Sequence, residues 1–128
     1  MCGESMSIDA DLAELFSRYE ETFTDYDGVD IKDVNQLGFG EDRLLHLAAN
    51  HSDYHDVELL LKNGANVNEK GDIGLTALHY AASKGKLDIV ELLIRFGADK
   101  NIKNEFGETA LDWARNSNAA DVVNFLKR

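Results

Sequence analysis

The sequence predicts an all-α solenoid of stacked helix-turn-helix units joined by short β-hairpin loops. Two observations carry that prediction: a self-similarity with a fixed period, and apolar residues that recur at helical rather than alternating spacing within each period. Sliding the 128-residue chain by 33 positions aligns residues 43–70 with 76–103, and 12 of the 28 pairs are identical, among them Leu45/Leu78, His46/His79, Ala48/Ala81, Gly64/Gly97 and Asn68/Asn101. A further shift of 33 reaches Leu111, Ala114, Val123 and Leu126. The expected organisation is an acidic N-terminal segment over 1–37, an irregular first repeat over 38–70, a second over 71–103 and a truncated third over 104–128 that acts as the C-terminal cap. Two helices per unit leave no stretch long enough for a sheet.

In the N-terminal segment Ile8, Leu12, Leu15, Phe16 and Tyr19 share one face of a helix, and the opposite face is acidic. Such an amphipathic helix is suited to cover the apolar side of the first repeat, because terminal repeats need a polar outer face. The second unit shows the repeat most clearly. Thr76 is placed to cap its first helix, followed by Leu78, Ala81 and Ala82, whose small alanines let neighbouring helices approach closely. Gly85 supplies a left-handed turn; Leu87, Ile89, Val90, Leu92, Leu93 and Ile94 make a second helix that must be covered on most sides; Gly97 ends it.

The run G-x-T-A-L-H-Y-A-A-x-x-G followed by L-D-I-V-E-L-L-I-R-F-G-A-D resembles the ankyrin-repeat family over the full length of the unit. The resemblance implies a curved stack of helix pairs with hairpins projecting at one edge and protein binding on the concave face. It also makes His46 and His79 structural, hydrogen-bonded to backbone near the helix starts. Departures are local. Ala77 and Ala110 stand where the family has proline; in the third unit Asp112 replaces the histidine and can complete a capping box with Thr109. In the first unit Arg43 replaces the capping threonine, Glu41 and Ser52 replace glycines, Gly64 is kept, and Asp56 stands where an apolar residue is expected. Gly28, Val29 and Asp30 look like a displaced motif and suggest an enlarged hairpin before this unit.

Charge is unevenly spread. Residues up to 42 hold twelve acids against Arg18 and Lys32, a balance of −10, whereas the remainder holds twelve acids against eleven bases, a balance of −1, giving −11 in all. A field of this sign repels nucleic acid and anionic lipid and attracts basic partners. Asp25, Asp27, Asp30 and Asp33 form an acidic patch within it. No apolar run is long enough to cross a bilayer, no signal peptide is recognisable, and the single cysteine, Cys2, has no disulfide partner, so a soluble, cytoplasmic protein is expected.

Catalytic chemistry is not expected, because no nucleophile stands in a motif with a base and Gly38, Phe39, Gly40 lacks the rest of a dinucleotide fingerprint. His51 and His55 are four apart but straddle a turn and have no third ligand, so neither metal nor cofactor is expected. What remains is a surface of variable positions that the resemblance assigns to a protein partner: Phe39, Asp42, Asn50, His51, Asp72, Ile73, Leu75, Ser83, Lys84, Glu105, Phe106, Glu108, Asn116 and Ser117. Phe39, Ile73, Leu75 and Phe106 are apolar where a solvated hairpin could be polar, so they are candidate anchors. Small acidic ankyrin proteins occur as neutralising partners in bacterial toxin systems. The resemblance and the charge together therefore imply an immunity protein for a basic toxin, or else an adaptor docking a cellular protein, its acidic end only solubilising.

Overall fold

Three short inner helices form the spine of the stack in a computed structural model, which describes residues 2–22, 31, 33–36 and 41–128, with side chains from residue 10 onward in the first helix as far as 21. These are α2 (Leu44–Asn50), α4 (Ala77–Ser83) and α6 (Ala110–Asn116), packed side by side. Ala48, Ala49, Ala81, Ala82 and Ala114 are fully buried between them. A larger side chain at these positions would push successive helices apart. The outer row is α3 (Tyr54–Lys62), α5 (Leu87–Arg95) and α7 (Ala120–Leu126), each antiparallel to its inner partner and stacked on the next. Val57, Leu60, Val90, Leu92, Leu93 and Val122 fill the layer between the rows. No helix among the described residues is long and apolar enough to cross a membrane.

Each unit closes its turns in the same way. Ser52, Gly85 and Asn118 occupy the left-handed region with φ of 60°, 69° and 59°, and the residue after each donates back to the inner helix: Asp53 to Ala48, Lys86 to Ala81 and Ala119 to Ala114. The outer helices end at Gly64 and Gly97, φ 94° and 98°, where Ala65 donates to Leu60 and Ala98 to Leu93. These paired bonds satisfy helix-terminal carbonyls that would otherwise be orphaned. At the start of α4, Thr76 accepts from the His79 amide, and at α6 Thr109 accepts from Asp112 while Asp112 accepts from the Thr109 amide at 2.9 Å. Arg43 cannot accept in this way; α2 keeps only the reciprocal half, His46 Nδ1 accepting from the Arg43 amide at 2.9 Å.

Ahead of the repeats lies α1 (Cys2–Thr22), which packs on α3 at the N-terminal end of the outer row. Leu15 and Tyr19 are buried, and Leu12 and Phe16 are half-buried against the core. Beyond it Asp33 and Asn35 form a turn in register with Asn66/Asn68 and Asp99/Asn101. In each the first side chain accepts from the amide two residues on, at 2.7, 3.3 and 2.9 Å. Asn35 then bridges to Gly64 O and the Asn66 amide, as Asn68 bridges to Gly97 O and the Asp99 amide. The turn at 33–36 thus makes upstream of residue 38 the same bonds that the repeat turn makes 33 positions on.

The hairpins are turns rather than strands, since no β-strand forms among the described residues. In the second unit Gly71 donates to Leu75 O at 2.8 Å, and in the third Asn104 donates to Glu108 O at 2.9 Å.

Candidate functional site

Two lines of residues, each advancing by 33 positions, run along the hairpin and inner-helix side of the stack. One is the row of inner-helix ends. His51, Lys84, Asn116 and Ser117 are exposed, Asn50 and Ser83 are half-buried, and the Ser83 and Ser117 hydroxyls stand 3.4 Å apart across two repeats. The other is the row of hairpin tips, Asp72–Ile73 and Glu105–Phe106. Phe106 is 70% exposed and is the most exposed large apolar residue among those described.

The two tips are tied together and differently built. Glu105 N donates to Ile73 O at 2.9 Å, so the third hairpin hangs on the second. In the third, the Asn104 side-chain oxygen accepts from the Phe106 and Glu108 amides, both at 2.9 Å, and organises the loop from within. The second has Gly71 at that place and no such side chain; besides its own backbone turn bonds it is held from outside, where Asp42 accepts from the Asp72 amide and from the Tyr80 hydroxyl, each at 2.9 Å. A side chain at Gly71 would collide with the Asp42 carboxylate. Within this tip Ile73 sits at φ 49°, ψ 26°, a left-handed conformation that a β-branched residue adopts only under constraint.

Several sequence-predicted contact residues turn out to hold the scaffold. Leu75 is 4% exposed, so the expectation of an exposed anchor does not hold there; it points inward because the hairpin bond from Gly71 turns its side chain into the stack. Asp42 is half-buried and engaged as described. Glu108 accepts from Asn104 Nδ2 at 2.9 Å and Trp113 Nε1 at 3.0 Å, and those bonds hold its carboxyl below the usual range. Asp72, Ile73, Glu105 and Phe106 remain at the surface, Ile73 partly covered. Phe39, Asp25, Asp27 and Asp30 lie outside the described residues. Asp33 is exposed, with one oxygen in the turn to Asn35.

The two repeat histidines face inward. His46 Nε2 lies 2.8 Å from Glu69 O and His79 Nε2 lies 2.9 Å from Glu108 O, while each Nδ1 accepts from the capping residue's amide. These partners assign the neutral tautomer with the proton on Nε2. Burial pushes both rings below the ordinary histidine pKa, against the opposing pull of those carbonyls. Tyr80 packs edge-on to His46, and Trp113 edge-on to His79, both at 6.2 Å. The Asp112 carboxyl is lowered by the Thr109 amide it accepts from. Among the described residues no group of three or more His, Cys, Asp or Glu is gathered to hold a metal ion.

Sequence reasoning missed the partners of Asp56. This carboxylate, 2% exposed, accepts from Arg18 Nη2 at 2.9 Å, Arg18 Nη1 at 3.1 Å and the Tyr19 hydroxyl at 3.0 Å. The signal available was its register: 33 and 66 positions on stand Ile89 and Val122, both buried.

The profile described as ankyrin repeats, in three copies, matches residues 45–128. No curated protein matches the sequence.

Proposed function

The chain belongs to the ankyrin-repeat family, and from that premise we propose that it binds a basic protein on its hairpin and inner-helix face and neutralises it, as an immunity protein does a toxin. Ankyrin repeats indicate a protein–protein interaction module, and proteins built from them are typically not enzymes. The finer reading rests chiefly on one observation. An aromatic ring, Phe106, stands 70% exposed on a hairpin tip whose amides from Asn104 to Glu108 all donate hydrogen bonds, with the exposed carboxylates of Glu105, beside it in sequence, and of Asp72, on the neighbouring tip. An ordered loop that keeps such a ring in water is a ready anchor, because interfaces concentrate their energy in a few aromatic side chains. The net charge of −11 would draw a basic partner toward it.

A second reading, an adaptor whose acidic end only solubilises or braces the stack, is favoured by a different observation. Several acids of the N-terminal third have work inside the molecule: Glu14 pairs with Arg18, Glu20 accepts from the Ile31 amide at 2.8 Å, and Asp33 shapes its turn. Capture from the source cell on the immobilised chain, with and without Phe106→Ser, separates the two. A basic protein that is lost on the variant and released by salt supports neutralisation. A neutral or acidic protein captured in the same way sinks it and leaves the adaptor.

A further inference from the structure

Ile73 is left-handed inside a tight turn that Leu75 N closes onto Asp72 O and Gly74 N onto Gly71 O, both at 3.0 Å, and isoleucine is a poor residue for that place. Ser52, Gly85 and Asn118 are left-handed because a helix must turn there, and two of those three residue types adopt φ > 0 readily. Isoleucine does not, and strain of this sort persists only where the surroundings over-determine it. Three contacts do so here. The Asp42 carboxylate fixes the Asp72 amide; the Glu105 amide fixes Ile73 O; and Gly74, at φ 78°, has the third hairpin's backbone so close that a Cβ would stand 3.1 Å from Glu105 N. All three come from neighbouring repeats. The tip is thus held in shape by its own turn and by the stack, and the hydrogen bond from Glu105 to Ile73 O ties it to the chain one residue before Phe106.

We propose that Ile73 and Phe106 form a preset two-residue apolar clamp for one apolar side chain of the partner, and that Asp72 and Glu105 receive a lysine or arginine beside that side chain. Asp42 is its positioning residue: its bonds to the Asp72 amide and the Tyr80 hydroxyl set where the tip stands. The proposal rests on the protein-binding reading and specifies the chemistry of the bound segment. The occupant is basic rather than acidic because the exposed charges directly next to Ile73 and Phe106 in sequence are the two carboxylates; Lys70 and Lys103 lie two or three residues back toward the helices. Pre-organisation is the function of the strain, since a loop already fixed loses little freedom on binding.

A random-peptide library displayed on phage, selected against the full chain, provides the test. Expected survivors carry an apolar residue next to Lys or Arg. As synthetic peptides they should bind about tenfold more weakly to Phe106→Ser, and also to the paired variant Asp72→Asn with Glu105→Gln. Asp42→Ala should weaken them too, with faster hydrogen exchange of the Asp72 amide, and Asp42→Asn should restore part of both because its oxygen can still accept. Survivors without a basic residue, or survivors indifferent to Phe106→Ser, overturn the clamp. If such peptides instead respond to Lys84→Glu or His51→Ala on the inner-helix row, the clamp fails while the wider protein-binding reading stands. A selection that enriches nothing, together with no protein captured from the source cell, removes both.

Discussion

The Asp56 carboxylate lies 2.9 and 3.1 Å from the two terminal nitrogens of Arg18, so the first helix is joined to the repeats by a two-point ion pair at the base of α3. The Tyr19 hydroxyl, 3.0 Å away, completes the site. Burial opposes ionisation of Asp56, but Arg18 and Tyr19 outweigh it and hold the carboxyl below its ordinary range. Burial together with the facing carboxylate pushes the Tyr19 phenol well above its usual range.

Removing either partner should therefore loosen α1. Asp56→Ala removes the acceptor shared by Arg18 and the buried Tyr19 hydroxyl, and Arg18→Ala leaves a buried carboxylate with two hydrogen bonds fewer; each should cost about 1–3 kcal/mol. The figure stays below the 3–5 kcal/mol typical of fully buried pairs because the Arg18 side chain is 45% exposed. Urea denaturation of both single variants and the double variant reads the coupling directly. Strictly additive losses would mean that the pair contributes nothing of its own.

This lock explains what could and could not be read beforehand. The period of 33, the caps at Thr76 and Thr109, and the glycines at 64, 85 and 97 are local signals, each encoded by a residue type whose chemistry acts within a few positions. Asp56 was visible as an oddity, yet its partners are 37 and 38 residues away in a helix outside the repeat alignment. Leu75 and Ile73 belong to one hairpin and differ by two positions. Which faces inward depends on the left-handed turn at Ile73, and that turn is held in part by Asp42 and Glu105 from adjacent units. The upstream turn at Asp33 and Asn35 did carry a signal in its 33-residue spacing, but two small polar residues are too few to stand out without the bonds they make.

Acid should destabilise the fold in two stages. His46 and His79 have folded-state pKa values lowered from 6.5 by burial, so below about pH 6.5 the unfolded chain takes up protons that the native rings refuse, and stability falls. The slope of unfolding free energy against pH should approach about two protons as the unfolded histidines fill. Asp56 has a folded value lowered from 3.8, so its contribution is present above that pH and is lost as pH drops through the native value. Denaturant midpoints should be flat from pH 7 to 8 and decline from about pH 6.5 downward. A midpoint unchanged down to pH 5 would contradict neutral, buried rings.

The turn after α2 offers a stabilising substitution. Ser52 stands at φ 60° where the next unit has Gly85 at φ 69°, and an L-residue there carries a cost of about 1–2 kcal/mol that glycine avoids. Glycine loses more freedom on folding, by about 0.5–1 kcal/mol, so Ser52→Gly should stabilise by about 0.5–1 kcal/mol net. A thermal melt checks it. A lower midpoint would mean that the half-buried Ser52 side chain makes a contact worth more than the strain.

Charge in the first third provides the sharpest division between the two functional readings. Replacing Asp25, Asp27, Asp30 and Asp33 with Asn takes the net charge from −11 to −7 while leaving side-chain size almost unchanged. Asn is tolerated at 33 because Asn66 fills the same place in the next turn with the same bond to the amide two residues on. Steering by a long-range field acts on encounter and is screened over about 10 Å at 0.1 M salt, whereas contacts at Ile73 and Phe106 act on dissociation. With a basic partner, the variant should associate several-fold more slowly at low salt, approach the parent as salt rises, and dissociate at nearly the parental rate. Stopped-flow measurements across ionic strengths give both constants. Association equal to the parent at every salt concentration would leave the acidic segment a solubilising brace, and the adaptor would then be the better account of the same binding face.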